Sequence, residues 1–213
     1  MNNNIYKTII LGCFTLILWS CQNQNTLDKN TQNNNTESEA EKTSLKESSL
    51  LYSDECITEY EVIKAQREWG KGIVKIGQIY TDGGDYKTAT AEFIQDKYGY
   101  DLGSVLFKPT LASVSQFRNS FDSAKSYFVG DNPAYPEDEG FALKPYTEVK
   151  WENAGIINNN CRVAIAMGNY YFTPKGGGDD IKVEYTFAYV KDKTGKIRIA
   201  SHQSSLPYVP PKD

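Results

Sequence analysis

The sequence predicts an α+β domain, with helices in its first half and a twisted antiparallel sheet in its second. Three observations lead there. Capping signals and helix-spaced apolar residues occupy positions 57–123. Four runs rich in β-branched and aromatic residues fill positions 146–205. Turn-forming clusters separate those runs, at Asn158-Asn159-Asn160, Gly176-Gly177-Gly178-Asp179-Asp180 and Asp192-Lys193-Thr194-Gly195. Short turns between successive strands favour an antiparallel meander.

Taken in chain order, the first segment is an address. Lys7 supplies a positive start, and Thr8 to Leu18 is an apolar run about half as long as a membrane-spanning helix requires. Leu18-Trp19-Ser20-Cys21 then resembles the bacterial lipobox, although Trp19 is bulkier than is usual at its place. The expectation is a signal peptide over 1–20, a lipid on Cys21, and a head outside the cytoplasm facing the periplasm or cell exterior. Positions 21–53 read as a tether. Asn and Gln fill nine of the 23 positions from Gln22 to Ser44, so the segment has little to bury against the entropy of ordering it. A flexible chain of ~30 residues reaches roughly 30 Å, enough to hold a head off a membrane.

Positions 54–213 are the size of one domain. Thr58-Glu59-Tyr60-Glu61 has the capping-box form, and Tyr60, Ile63, Trp69, Ile73, Ile76 and Tyr80 continue a helical stripe, which predicts a first helix over about 57–80. Gly70, Gly72 and Gly77 weaken it, each by ~1 kcal/mol relative to Ala, and allow a close neighbour. A second helix is expected over about 85–98. Val105-Leu106-Phe107 reads as a short strand stopped by Pro109. Ser113-Val114-Ser115-Gln116 suggests a cap opening a helix over 113–123, Ser126 to Val129 an extended segment, and Gly130 to Pro145 a long loop. Strands are expected at Tyr146–Ile157, Cys161–Thr173, Ile181–Lys191 and Lys196–Ser205. Val183, Tyr185, Phe187 and Tyr189 share one face of the third. In the second, Ala164, Ala166 and Gly168 form a small-residue strip opposite Val163, Ile165 and Met167.

Composition excludes several functions. A net charge of −4 argues against nucleic acid as a partner. One His and four Cys cannot build a multi-His or Cys-rich metal site. With Cys13 leaving in the signal and Cys21 lipidated, Cys56 and Cys161 remain, as a disulfide or as two buried thiols. Gly176-Gly177-Gly178 lacks the Gly-Lys-Ser/Thr ending of a phosphate loop, and Glu137-Asp138-Glu139 reads as a solvated loop rather than a cation site. No elbow motif supports a nucleophilic triad.

Seven blocks in order resemble the iota-class carbonic anhydrases of bacteria and algae. They are Gly83-Gly84-Asp85-Tyr86, Leu106-Phe107-Lys108-Pro109-Thr110, Ser126-Tyr127-Phe128-Val129-Gly130 and Tyr135-Pro136-Glu137-Asp138-Glu139-Gly140-Phe141, then Ala166-Met167-Gly168-Asn169-Tyr170-Tyr171-Phe172, Lys182-Val183-Glu184-Tyr185-Thr186-Phe187 and His202-Gln203-Ser204-Ser205-Leu206-Pro207. The resemblance covers nearly all of 54–208. It implies a nuclear-transport-factor-2-like cone, in which a curved antiparallel sheet wraps a long N-terminal helix, and a homodimer. It also implies reversible hydration of CO2 to bicarbonate. Where such proteins commonly carry a second His before the paired serines, this chain has Gln203. The implied enzyme is therefore of the metal-free kind with no cofactor, although counting residues alone leaves a carboxylate-rich Mn, Zn or Ca site open.

The resemblance carries Thr110, Tyr127, His202, Ser204 and Ser205 forward as candidate catalytic residues. Strand alternation puts His202 with Ser204 on one face and Gln203 with Ser205 on the other, so a regular strand turns only one pair inward; His202 with Ser204 is the favoured pair. Hydroxyls are poor bases, and their clearer use is as oriented donors and acceptors around water and nascent bicarbonate. Two proton acceptors suggest themselves: Tyr127 as an anion, or His202 as a shuttle to solvent. A non-catalytic ligand-binding module and a purely structural association domain are the rival readings of the same fold.

Overall fold

The protein was analysed as a computed structural model, which describes residues 55–159 and 161–211. The expected signal peptide, the lipidation at Cys21 and the tether lie outside the described residues. Helix α1 spans Glu59–Thr81, α2 Tyr86–Lys97 and α3 Phe121–Val129; a single 3-10 turn covers Phe141–Leu143. The strands are β1 Leu106–Lys108, β2 Tyr146–Asn159, β3 Val163–Pro174, β4 Ile181–Lys191 and β5 Ile197–Ser205. They form one five-stranded sheet in the order β1-β5-β4-β3-β2. Strands β2 to β5 make the antiparallel meander expected from their short turns, whereas β1 joins the far edge in parallel with β5.

Helix α1 begins where its sequence says. The Thr58 hydroxyl accepts from the Glu61 amide while the Glu61 carboxylate accepts from the Thr58 amide, a complete capping box. Its inward face is Val62, Gln66, Trp69, Ile73 and Ile76; Tyr60 and Tyr80, read above as part of the stripe, are exposed. The glycines serve close approach. A Cβ on Gly70 would stand 2.9 Å from the Val149 Cβ of β2, and one on Gly72 would overlap the Phe93 ring.

The segment after β1 departs from expectation. No helix forms over 113–120, where the amides of Ser113, Val114 and Ser115 are held by the carboxylate of Glu137, a residue more than twenty positions away. Val114 and Phe117 are exposed, so a helix there would have no apolar face to bury. The helix starts instead at a capping box between Ser120 and Ser123, and its last turn absorbs Ser126 to Val129, which the sequence suggested were extended. All four of those residues are buried, a run of burial that a half-buried strand would not show.

Register shifts between Tyr146 and Glu148, Asn153 and Gly155, and Ala188 and Tyr189 bend the sheet over the helices. Opposite the second shift, Gly168 sits so close to β2 that an added Cβ would meet the Glu152 carbonyl oxygen at 2.1 Å. The small-residue strip of β3 thus makes room for backbone at Gly168, while Ala164 and Ala166 are fully buried. Val183, Tyr185, Phe187 and Tyr189 face the core as the alternation of β4 predicts. Trp69 lies at the centre, with the rings of Phe93, Trp151, Tyr170, Phe172, Phe187 and His202 all within 6.3 Å. Burying each large apolar side chain contributes roughly 1.5–3 kcal/mol. Cys56 and Cys161 are joined by a disulfide, which ties the entrance of α1 to the β2–β3 turn.

Candidate active site

The site is built where β5 meets β1. Their parallel register sets Phe107 beside His202 and Lys108 beside Gln203, so the chain leaving β1 carries Thr110 to Ser204. The Thr110 hydroxyl donates to the Ser204 hydroxyl at 2.8 Å. Along β5, His202 and Ser204 are buried whereas Gln203 is exposed. Ser205 points outward, and its hydroxyl donates to Glu184 at 3.3 Å. Ser205 is therefore not part of the constellation, because regular strand alternation leaves it on the other face of the sheet.

Tyr170 of β3 completes the group from the opposite side, its hydroxyl beside those of Ser204 and Thr110. Tyr127 comes from the last turn of α3. Its ring stacks on Phe141 with centroids 5.6 Å apart and meets Phe107 edge-on, and the Leu111 amide reaches its hydroxyl. Tyr127, Leu111, Phe141 and Lys144 border a cavity of about 250 Å³ whose rim is Glu137-Asp138-Glu139.

Two of those three acidic residues, read above as a solvated loop, are structural, while Glu139 is exposed. Glu137 accepts from the Ser113, Val114 and Ser115 amides at 2.7–2.9 Å, and these bonds lower its pKa to about 2. Asp138 pairs with the fully buried Arg118 at 2.7 Å and accepts from the Ser126 hydroxyl. Together they clamp the loop that carries Thr110 and Leu111 against α3. Removing the Asp138 carboxylate would leave Arg118 as a buried charge lacking its nearest counter-ion, a loss typically of about 3–5 kcal/mol.

His202 is sandwiched between Phe107 and Phe187, at centroid distances of 4.7 and 3.9 Å. Its Nδ1 lies 2.9 Å from the Tyr98 hydroxyl and its Nε2 3.4 Å from the Tyr170 hydroxyl. The groups facing it are these two tyrosines and apolar rings, so burial alone pushes its pKa down to about 3. A shuttle needs a pKa near neutrality and a path to water, and His202 has neither. Burial likewise pushes the Tyr127 and Tyr170 hydroxyls upward, so both are neutral phenols at pH 7. Neither proton acceptor suggested by the sequence fits these surroundings.

The structure thus brings together Thr110, Tyr127, His202 and Ser204 and adds Tyr170, Tyr98 and Trp69. Tyr170 could have been found, since it continues the inward alternation of Ala164, Ala166 and Gly168. Tyr98 and Trp69 carry no such signal, because only the fold stacks Tyr98 on His202 and sets Trp69 edge-on to it. Among the described residues no group of three or more His, Cys, Asp or Glu is placed to hold a metal ion.

Residues 60–206 match the family described as metal-independent carbonic anhydrase. A relative from Nostoc sp. strain PCC 7120, a metal-independent carbonic anhydrase, is 46% identical over 156 residues, which is 71% of this chain and 75% of the relative. The crystal structure of the iota-carbonic anhydrase from a cyanobacterium, complexed with bicarbonate, superposes with a TM-score of 0.70 at 44% identity, covering 73% of this chain and 95% of that one. With the match running from the first turn of α1 to just past β5, the chain belongs to the metal-independent, iota-class carbonic anhydrase family.

Proposed function

We propose that this protein catalyses the reversible hydration of CO2 to bicarbonate without a metal ion, at the hydroxyl cluster of Thr110, Tyr127, Tyr170 and Ser204. One observation carries this reading: the Thr110 and Ser204 hydroxyls are bonded to each other beside that of Tyr170, and Tyr127, packed on Phe107, lines a small cavity. The solved iota-class relative holds bicarbonate. Hydration joins a water oxygen to the carbon of CO2, moves negative charge onto the carboxylate oxygens and releases a proton. Preorganised O–H donors aimed at those oxygens stabilise the charge as it develops, and losing one such donor costs roughly 10²–10³ in rate. Because these hydroxyls stay protonated, they act by donating and orienting rather than by taking the water's proton.

The test is CO2 hydration by the folded head, residues 54–213, before and after chelator treatment. Chelator-resistant activity that falls roughly 10²-fold in Tyr127→Phe and in Ser204→Ala, while Ser205→Ala keeps it, is the expected result. Equal activity in Tyr127→Phe and Ser204→Ala would overturn the site, and an inactive folded head would overturn the function.

We infer further that the enzyme is a lipid-anchored homodimer of the cell envelope. The lipobox-like Leu18-Trp19-Ser20-Cys21 supports the anchor. Supporting the dimer is an exposed apolar patch on the outer face of the sheet, where Ile157 lies opposite Ile165 and Val163 and Met167 flank it.

A further inference from the structure

An indole N–H can only donate a hydrogen bond, and this limits what the hydroxyls beyond it can do. Trp69 Nε1 donates to the Tyr98 hydroxyl at 3.0 Å. Its oxygen occupied as an acceptor, Tyr98 has its own proton to give, and the neighbour within reach is His202 Nδ1 at 2.9 Å. Trp69, Tyr98 and His202 are each at most 2% exposed, so bulk solvent does not reach them. A neutral imidazole that accepts at Nδ1 carries its proton on Nε2. That proton faces the Tyr170 oxygen, 3.4 Å away. With its oxygen facing that proton, Tyr170 has its own proton to give, and the hydroxyls beside it are those of Thr110 and Ser204, of which Thr110 donates to Ser204.

We propose that Trp69 is a positioning residue that locks His202 in its Nε2–H tautomer and so turns every hydroxyl between Tyr98 and Ser204 to donate toward the reacting oxygens. The chain of donors starts at a group that cannot reverse and ends at the hydroxyl pair of the site. Donors aligned in one direction polarise one another, which strengthens the last one. The lock also accounts for a buried, uncharged His beside a site where an imidazole of ordinary pKa would be expected to move protons. His202 is there to transmit direction. Because its rings of contact come from α1, β1, β3 and β4, the tautomer is set by the fold rather than by pH.

The functional consequence rests on the carbonic-anhydrase reading, but the lock can be tested without it. The sequence contains one His, so a protein labelled with 15N-histidine and free of added His gives a single imidazole pair. Long-range 15N–1H correlation at pH 7.5 should show Nε2 as the protonated nitrogen and Nδ1 as the bare one. In Trp69→Phe the Tyr98 hydroxyl is free to reverse, and the spectrum should move toward the Nδ1–H tautomer or an average of the two. CO2-hydration kcat/KM should fall roughly tenfold with it, the effect of losing one orienting hydrogen bond. Tyr98→Phe, which removes the middle link, should release the tautomer in the same way. An Nδ1–H or averaged His202 in the unaltered protein would overturn the proposal, as would a Trp69→Phe or Tyr98→Phe protein that folds and keeps pure Nε2–H. A pure Nε2–H His202 in a protein without CO2-hydration activity would overturn the functional reading and leave the lock standing.

Discussion

His202 shows how surroundings override residue type. In isolation it is the side chain suited to moving protons near pH 7. Between two phenyl rings and two phenols, its charged form is excluded and its pKa is pushed down to about 3. Stability then depends on pH with a definite sign. The unfolded chain, with a His of ordinary pKa near 6.5, binds a proton that the folded protein refuses, so the His202 contribution is full above pH 6.5 and is lost as pH falls toward 3. Between pH 6.5 and 4.5 the loss should be roughly 2–3 kcal/mol, read as a falling urea midpoint, and His202→Gln should flatten that stretch. A midpoint that stays level over this window in the unaltered protein would contradict the assignment. Glu137 acts in a lower window, since its depressed pKa contributes stability above about 4.5 that disappears as pH falls toward 2.

At the scale of elements, each segment followed its local code where no distant group competed. Thr58 and Glu61 cap α1 with atoms three residues apart, and this was legible directly. Ser113 carries the same kind of signal, yet Val114 and Phe117 find no core to pack on and the segment is tied to Glu137 of another loop, and no window around Ser113 contains that information. The glycines divide in the same way. Gly168 reads as part of a small-residue strip, but only the register shift in β2 shows that backbone fills the space. Gly168→Ala should destabilise by about 3 kcal/mol, because the Glu152 carbonyl cannot move without breaking the ladder. Gly155→Ala, with nothing within 4 Å of the added carbon, should change the thermal midpoint little. Equal midpoints for the two variants would show that the close approach at Gly168 is not a constraint.

The whole molecule keeps its hydroxyl cluster on one face of the sheet and an exposed apolar patch on the other. The hydroxyl cluster, His202 and Trp69 lie on the concave side, whereas Ile157, Val163, Ile165 and Met167 lie outside and stay exposed. Pairing two such outer faces would remove apolar area from water without touching the site. Ile165→Lys should convert a dimeric head to a monomer in sedimentation while CO2 hydration per chain persists; a head that already sediments as a monomer would sink this association. The disulfide between Cys56 and Cys161 closes a loop of 105 positions around nearly the whole helical layer, a bond that an oxidising compartment would preserve.

Patterning alone determined the α+β class, all five strands to within about two residues, the capped start of α1 and the placing of His202 with Ser204 on one face of β5. Each rests on a period or a contact within a few positions, which a linear chain displays. Tertiary structure decided the parallel docking of β1, the loop in place of a helix at Ser113, the outward turn of Ser205 and the shell of Trp69, Tyr98 and Tyr170 around His202. These depend on groups brought together from positions up to about 130 residues apart, where burial keeps His202 and the tyrosines around it uncharged.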